Sequence, residues 1–430
     1  MSTATAPPAL SPLWASLADS PALLNWAVLV ASAALVGHAV HRYTGLPRML
    51  GYTVVGLAAG WIGFGDLPWP VQGLGMLLLQ MALAATLLMA GTQLSLRWLL
   101  RQPGVLLQSL LESLLGFAAV AALLRWTGQP MPVALGMGVV AMAASPSVVL
   151  RVALDLQAKG PITDRSLTLA TLSAFYALMM GGLLAAVGHL APAEAHWLSA
   201  LGQLGGDLLL TLLWTVLAAA LLWPVLRWRP SSSDNTALYM LAVLAAVATM
   251  SQRWGGSAAL ALLLTGVLLR NLSPRPLVWP PAFVSANSML NLLMFVLIAS
   301  MVTRVGVTPQ LLAWALAAAL VRGAAKWLGV ALGGWSSGLQ WRRQWAVGCA
   351  QLPQSGVALL LASTLAAQWA ATPGADGSYA ATFAALALPM VVASELVGAL
   401  LMSLAWWQSG EAHRGIGPAA LLRKGRRHDA

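Results

Sequence analysis

The sequence is poor in charge and nearly free of cysteine. Only 8% of its 430 residues are charged, and 12 residues are acidic. The one cysteine, Cys349, lies in an apolar segment, so the sequence offers neither a disulfide framework nor a thiolate metal site. It also has no Gly-x-Gly-x-x-Gly motif within a βαβ unit, and we therefore expect no nucleotide-binding domain and no cofactor.

The sequence is instead rich in long apolar segments. Hydrophobic residues make up 59% of the chain and the mean hydropathy is +0.78. These values exclude an ordinary soluble domain and indicate a polytopic helical protein embedded in a lipid bilayer. The net charge of +11 might suggest nucleic-acid binding. In a polytopic protein, however, Lys and Arg gather on one side of the membrane, so we interpret the charge as topology and expect no nucleic acid.

Thirteen apolar segments are long enough to cross a bilayer, at roughly 20 residues each. They are 22–41, 50–65, 73–94, 104–125, 131–157, 166–189, 206–226, 236–252, 256–270, 287–304, 309–335, 343–370 and 380–406. With this count, 18 of the 23 Lys and Arg fall on one side and three on the other, and the remaining two, Arg322 and Lys326, lie deep inside a span. The bias predicts an external N-terminus, a cytoplasmic C-terminus and a basic cytoplasmic tail at 411–430.

The fifth and twelfth spans each contain a helix-breaking sequence near mid-membrane, AASPSVV and QLPQSGV. Proline removes a backbone hydrogen bond and bends or opens a helix, and either break alone is typical of a simple kink. Their matching positions predict an inverted repeat: repeat one at 22–190, a linker helix at 206–226 and repeat two at 236–406, within a transmembrane domain at 1–410. In such transporters broken helices meet at the midplane and direct half-helix dipoles at the substrate. The polar ligands near the breaks would be Ser145, Ser147, Gln354 and Ser355.

The chain resembles the monovalent cation:proton antiporter superfamily, and within it the bacterial potassium-efflux and sodium/proton exchanger-like branch. GYTVVGLAAGWIGFG (51–65) looks like the family's second helix, and LLMAGTQLSLRWL (87–99) is similar to its segment ending in Gly-x-Glu-Leu-Asp. The resemblance implies an all-α sodium/proton antiporter-like fold with about thirteen helices and two crossed, broken helices. It also implies a homodimer in a bacterial inner membrane, a periplasmic N-terminus and transport by alternating access.

The resemblance also locates a missing carboxylate. The family's sixth span carries an aspartate that binds a cation or a proton, often opposite a basic residue that aligns with Lys326; here Phe175 takes the aspartate's place, between Ser173 and Tyr176. Lys326 and Arg322 lie deep in the eleventh span, where a charge usually faces protein or water. Arg322 therefore needs an anion, a group of carbonyls or water.

Two acids lie well inside spans and at the right depth to pair with these cations. Glu395 is in the span that pairs with the sixth in the repeat, and we expect it to be the partner of Lys326. Glu112, in the fourth span, is expected to be a silent acid in an interhelical contact.

Three functions follow, in order of preference. The first is exchange of a monovalent cation for protons, with protons carried on Lys326. The second keeps the fold but moves an anion or another small solute, held by half-helix N-termini with Arg322 and Lys326. The third is a relative without transport that acts as a scaffold or sensor. None of the three is an enzyme.

Overall fold

The chain folds into helices joined by short links. The computed structural model describes residues 22–63, 71, 73–188, 197–228, 234–273, 277–303, 305–335, 340–371 and 378–412. All regular structure within these ranges is helical. The helices are α1 Ala22–Thr44, α2 Arg48–Ile62, α3 Gly73–Gly91, α4 Leu96–Arg101, α5 Pro103–Trp126, α6 Met131–Met142, α7 Pro146–Asp155, α8 Pro161–Gly188, α9 Trp197–Trp228, α10 Asp234–Trp254, α11 Ala258–Leu272, α12 Pro281–Val302, α13 Pro309–Trp335, α14 Trp341–Ala350, α15 Gly356–Ala371 and α16 Ser378–Ser409.

The described helices supply thirteen candidate crossings. In the described part of the chain, nine segments are long and apolar enough to span a membrane alone, one of them made of α6 and α7 together. The shorter α2, α3 and α11 and the joined α14 and α15 supply four more. The prediction of an all-α membrane fold with about thirteen helices, two of them broken, is confirmed.

Two helix boundaries, both in segments that contain glycine, differ from the predicted ones. α2 ends three residues before the predicted boundary, because Gly63 adopts a left-handed conformation (φ 89°) and its N–H returns to the carbonyls of Ala59 and Gly60. The linker helix α9 begins at Trp197 rather than at 206. The glycines at its start weaken the apolar signal without ending the helix.

The helices pack as two groups. The broken-helix bundle consists of α5–α8 and α13–α16, and the flanking bundle of α1–α3 and α9–α12. The closest pairing within the broken-helix bundle is between α5 and α13, where a Cβ on Gly329 would lie 2.4 Å from the Cα of Glu112. Backbones can approach this closely in a membrane only where one residue is small. α13 therefore lies directly against the middle of α5.

Contacts between links confirm that successive crossings alternate in direction. The Arg48 amide donates to Asp155 Oδ2 at 3.0 Å, so α2 begins where α7 ends, and the Leu96 amide donates to Asn271 Oδ1 at 2.9 Å beside the end of α11. We call this side the cation-rich end. Its described basic residues are Arg42, Arg48, Arg97, Arg101, Arg151, Lys159, Arg165, Arg227, Arg270, Arg342 and Arg343. Most of the predicted basic tail, from 413 onward, lies outside the described residues.

Candidate functional site

The two helix breaks contact each other through their backbones. α6 ends at Met142, and α7 begins with Pro146 at a position that needs no N–H donor. Between them Ser145 is extended, and its amide donates to the Pro353 carbonyl at 3.1 Å. Pro353 lies in the second break, between α14 and α15. The discontinuities predicted from AASPSVV and QLPQSGV are thus real, and they meet.

Three serine hydroxyls form a buried cluster where the breaks meet. Ser145 Oγ lies 2.8 Å from Ser147 Oγ, and Ser147 Oγ lies 2.9 Å from Ser355 Oγ; Ser145 and Ser355 are also hydrogen-bonded. Nearby, Gln354 Nε2 donates to the Val140 carbonyl at 2.7 Å, while its Oε1 is buried without a partner. The structure brings these four predicted polar residues together, but a role as ligands remains a prediction.

Arg322 joins the carbonyl ends of both broken helices. It is fully buried, and its guanidinium donates Nε to Ala141 O at 3.0 Å, Nη1 to Leu352 O at 2.6 Å and Nη2 to Ala143 O at 2.7 Å. These carbonyls lie at the C-terminal ends of α6 and α14, where helix dipoles are negative. Of the partners that we predicted for Arg322, the carbonyl group is the correct one. The alternative of anion transport placed this arginine with half-helix N-termini, whereas its hydrogen bonds are to carbonyls at C-terminal ends.

Lys326 pairs with Glu112. Lys326 lies one helical turn from Arg322 on α13. Its Nζ donates to Glu112 Oε2 in a salt bridge, and the side chains of Lys326 and Glu112 are both fully buried. The other carboxylate oxygen, Oε1, accepts from Ser113 at 3.1 Å. Our prediction that Glu395 is the partner of Lys326 is therefore wrong. The expected interhelical contact of Glu112 is present, because the close crossing of α5 and α13 places its carboxylate against the ammonium. The expectation that this acid is silent stays a prediction.

Ser173 connects the ion pair to the first helix break. Its hydroxyl donates to Met142 O at 2.7 Å and accepts from the Ala144 amide at 2.8 Å, and Lys326 Nζ lies 3.3 Å away. These contacts use the hydroxyl's one proton and both of its lone pairs. A shift of the ammonium therefore acts directly on the backbone at the break.

The two aromatic residues near Ser173 provide different groups. Phe175 is half-buried, and its ring packs edge-on to the Tyr176 ring with centroids 5.8 Å apart. Tyr176 OH hydrogen-bonds Ser109 Oγ on α5 at 3.1 Å. Phe175 offers no polar atom, so the position aligned with the family's aspartate cannot ligate a cation.

Glu395 lies elsewhere, where the two bundles meet. On α16 it is fully buried and shares a hydrogen bond with Thr53 of α2, while its Oε2 has no partner. Within the described ranges, no cation lies at ion-pair distance from it. Sequence reasoning missed Thr53; its only signal was a hydroxyl in the middle of an apolar span.

A cavity of about 630 Å³ opens between the bundles at the end opposite the cation-rich end. Helices α8 and α15 form one wall, and α3, α9, α10 and α11 form the other. Its polar lining includes Asp207 and the hydrogen-bonded amides of Gln80 and Gln252. The ion pair, by contrast, is closed to solvent. The arrangement is a buried charge pair at a helix crossing, separate from the interbundle cavity.

A family model described as "Sodium/hydrogen exchanger, transmembrane" matches residues 28–403. Among solved structures, the chain is similar to the sodium proton antiporter MjNhaP1 from Methanocaldococcus jannaschii at pH 8, with 14% identity, a TM-score of 0.66 and coverage of 90% of this chain and 98% of that one. An electron-microscopy map of the same antiporter gives 16% identity, a TM-score of 0.69, and coverage of 91% and 96%. At these identities the likeness shows the fold. No curated protein matches the sequence.

Proposed function

Because the chain belongs to the sodium/hydrogen exchanger family, we propose that it exchanges a monovalent cation for protons by alternating access, with the Lys326–Glu112 pair as the exchange site. The protein is a multi-pass membrane transporter. The likeness to MjNhaP1 supports a fold that positions two bundles to move past each other. Sodium, potassium and lithium are the candidate ions.

The observation that carries the proposal is the charge balance of the buried pair. A lysinium beside a carboxylate has no net charge, which lowers the large cost of burial. If Lys326 gives up its proton, the remaining carboxylate has one negative charge, which one monovalent cation neutralises. Oxygens of Ser113 and Ser173 already lie against the pair and suit a hard cation. Proton-loaded and cation-loaded states then have the same charge, so exchange is one for one.

Glu112 would supply the carboxylate that the family has on the sixth span. Phe175 occupies the aligned position on α8, and the acid reaches Lys326 from α5 instead. In this proposal the aspartate has been replaced in function by an acid on a neighbouring helix. Membership of the potassium-efflux and sodium/proton exchanger-like branch is also part of the proposal, and the resemblance of residues 51–65 and 87–99 supports it.

Access to the pair requires the bundles to move. Glu112, Lys326 and Ser173 are fully buried, so neither side of the membrane reaches them in this state. The lining of the interbundle cavity includes the apolar side chains of Leu178 and Leu361 and none of these three residues. Sliding the broken-helix bundle against the flanking bundle would open a route from one side at a time.

The wider assignments follow the same family resemblance. We propose a bacterial inner-membrane protein, with the N-terminus in the periplasm and the C-terminus in the cytoplasm, that forms a homodimer through the flanking bundle. The inverted repeat at 22–190 and 236–406, joined by the linker at 206–226, accounts for two broken helices of opposite direction.

The alternative of anion transport lacks its main support. Its premise was two unpaired cations at half-helix N-termini, whereas Arg322 donates to carbonyls and Lys326 to a carboxylate. An anion would have to displace the Glu112 carboxylate from Lys326 or the carbonyls from Arg322.

The test is transport in sealed vesicles that contain a pH-sensitive dye. Addition of sodium, potassium or lithium outside should raise the internal pH, and both K326A and E112Q should abolish the rise. D234N, which removes an exposed acid at the start of α10, is the matched control and should transport normally. Uptake of an anion without cation dependence, or no flux of any ion with correctly folded protein, would refute the proposal.

A further inference from the structure

An apolar groove runs along the outer face of the broken-helix bundle. α14 is only ten residues long, and its end at Ala350 leaves a gap between α13 and α16. The gap forms a cavity of about 550 Å³, a volume within the range of about 300–1,000 Å³ typical of ligand pockets. The side chains that line it are almost all apolar. They include Leu316, Leu320, Trp327, Trp345, Val397 and Leu401.

The floor of this apolar groove is the second helix break. Leu352 and Cys349 line it beside Arg322. A Cβ on Gly398 would lie 2.5 Å from the Pro353 nitrogen, so α16 rests directly on the broken backbone. Whatever fills the groove is therefore in contact with the segment that holds the guanidinium.

A second cavity lies next to the groove at the cation-rich end. It measures about 690 Å³, and Trp345 lines both cavities. Lys159, Arg342 and Arg343 line the second cavity, and all three are exposed. Together these cavities make a site with a cationic end and an apolar length.

The acid that lines the second cavity, Glu411, is held by a helix end. Glu411 accepts from the Ile162 and Thr163 amides, both at 2.8 Å, and from the Thr163 hydroxyl at 2.9 Å. A carboxylate bound to the N-terminus of α8 balances the helix dipole rather than the nearby cations. The three basic side chains therefore present a net positive surface.

We propose that these two neighbouring cavities together bind one anionic phospholipid. The phosphate would lie among Lys159, Arg342 and Arg343, and an acyl chain would lie in the apolar part against Leu352. Basic pockets between membrane helices recognise anionic head groups in this way. Between Leu401 and Ala393 the apolar part is about 12 Å long at 1.5 Å per residue, close to half of a bilayer core of about 30 Å. A soluble phosphate would leave this apolar length uncovered, which is why the proposal commits to a lipid.

The test measures lipid binding directly, independently of transport. Full-length protein in detergent is titrated with phosphatidylglycerol or with phosphatidylcholine of the same acyl chains, and bound lipid is counted by native mass spectrometry. We expect one tightly held phosphatidylglycerol and roughly tenfold or more weaker binding in R342Q/R343Q, because each basic residue near the surface contributes to anionic-lipid affinity. V397W, which fills the apolar part without changing charge, should also lose the lipid.

The control is R97Q/R101Q, which removes two exposed arginines on α4 at the same end and should bind as the wild type does. Glycerol 3-phosphate provides the head group without a chain and should not compete. Equal binding of the two lipids, an equal loss in the control, full competition by glycerol 3-phosphate or unchanged binding in V397W would each overturn the proposal.

Discussion

Lys326 and Glu112 face each other where α13 crosses α5, and each is the other's sole salt-bridge partner among the residues that the structure describes. Removing one member of a buried pair leaves an uncompensated charge, which costs about 3–5 kcal/mol. Removing both leaves only a change of packing. The pair should therefore show strong energetic coupling.

We expect E112Q and K326M each to lower the free energy of unfolding by several kcal/mol, and the double variant E112Q/K326M to recover most of that loss. Thermal unfolding in detergent over this double-mutant cycle measures the coupling. Transport should be absent in all three variants, which separates stability from function. Additive losses would show that the two side chains do not interact.

Arg322 should not tolerate replacement by lysine. One ammonium cannot reproduce the fork that reaches Ala141, Ala143 and Leu352, and a buried carbonyl left without a donor costs about 1–3 kcal/mol. We expect R322K to destabilise the protein by at least about 2 kcal/mol. R343K, at an exposed position, is the matched control and should change stability by less than about 0.5 kcal/mol. Equal unfolding midpoints for the two variants would contradict the carbonyl contacts.

A single methyl group at Gly329 should disable the site. Its Cβ would come within 2.4 Å of Glu112 Cα, so α5 and α13 must separate and the ion pair must lengthen. We expect G329A to lose transport and at least about 1 kcal/mol of stability, as overpacked sites do. Gly202 on α9 has open space around it, and G202A should be neutral or slightly stabilising. Cation-dependent pH change and melting temperature measure both effects.

Glu395 should be protonated in this state. The Thr53 hydroxyl contacts both Met49 O at 3.1 Å and Glu395 Oε1, yet it has one proton to donate. If Thr53 donates to the Met49 carbonyl, the carboxyl must donate to Thr53. We expect an infrared carbonyl band of a protonated acid that disappears in E395Q, whose amide can donate in the same way.

The stability of the Thr53–Glu395 contact gives a second measurement. The free energy of unfolding of E395Q should lie within about 1 kcal/mol of the wild-type value. T53V leaves the Glu395 carboxyl without its hydrogen-bond partner and should lower the free energy of unfolding by about 1–3 kcal/mol. An ionised-carboxylate band in place of the acid band would refute the assignment.

Glu411 should stabilise the start of α8. Its carboxylate accepts from two backbone amides that have no partner inside the helix. We expect E411A to cost about 1 kcal/mol, and E411Q less, because a neutral amide oxygen still accepts one bond. Hydrogen exchange at Ile162 and Thr163 should accelerate in E411A. Unchanged protection there would show that the amides are held by other groups.

The sequence was sufficient to predict where the helices break and that the breaks meet. Proline beside serine at matching depth is a local pattern, and a local pattern can be recognised from the sequence alone. The partner of Lys326 was not predictable in the same way, because depth was judged from helix rise while direction around each axis was unknown. Glu395 has a suitable depth but faces α2. Glu112 reaches the ammonium because Gly329 lets α5 and α13 touch.

The environment of Arg322 shows a second limit. Its partners are main-chain carbonyls, which every sequence has and which only the fold places together. For Phe175 the alignment gave the position but not the orientation: Ser173, two residues earlier and about 200° around the helix, is the residue that contacts Lys326.

The bond from the Ser145 amide to the Pro353 carbonyl joins the two breaks without using any side chain. Substitution of the serines can remove the hydroxyls from this junction and leave the bond intact. Proline at position 145 is the one natural residue that would remove the backbone N–H donor. Most substitutions therefore leave this hydrogen bond in place. Each half of the chain also limits which sequence changes the other half can accept at its break. A lengthened or shortened loop in either break would be the change that separates them.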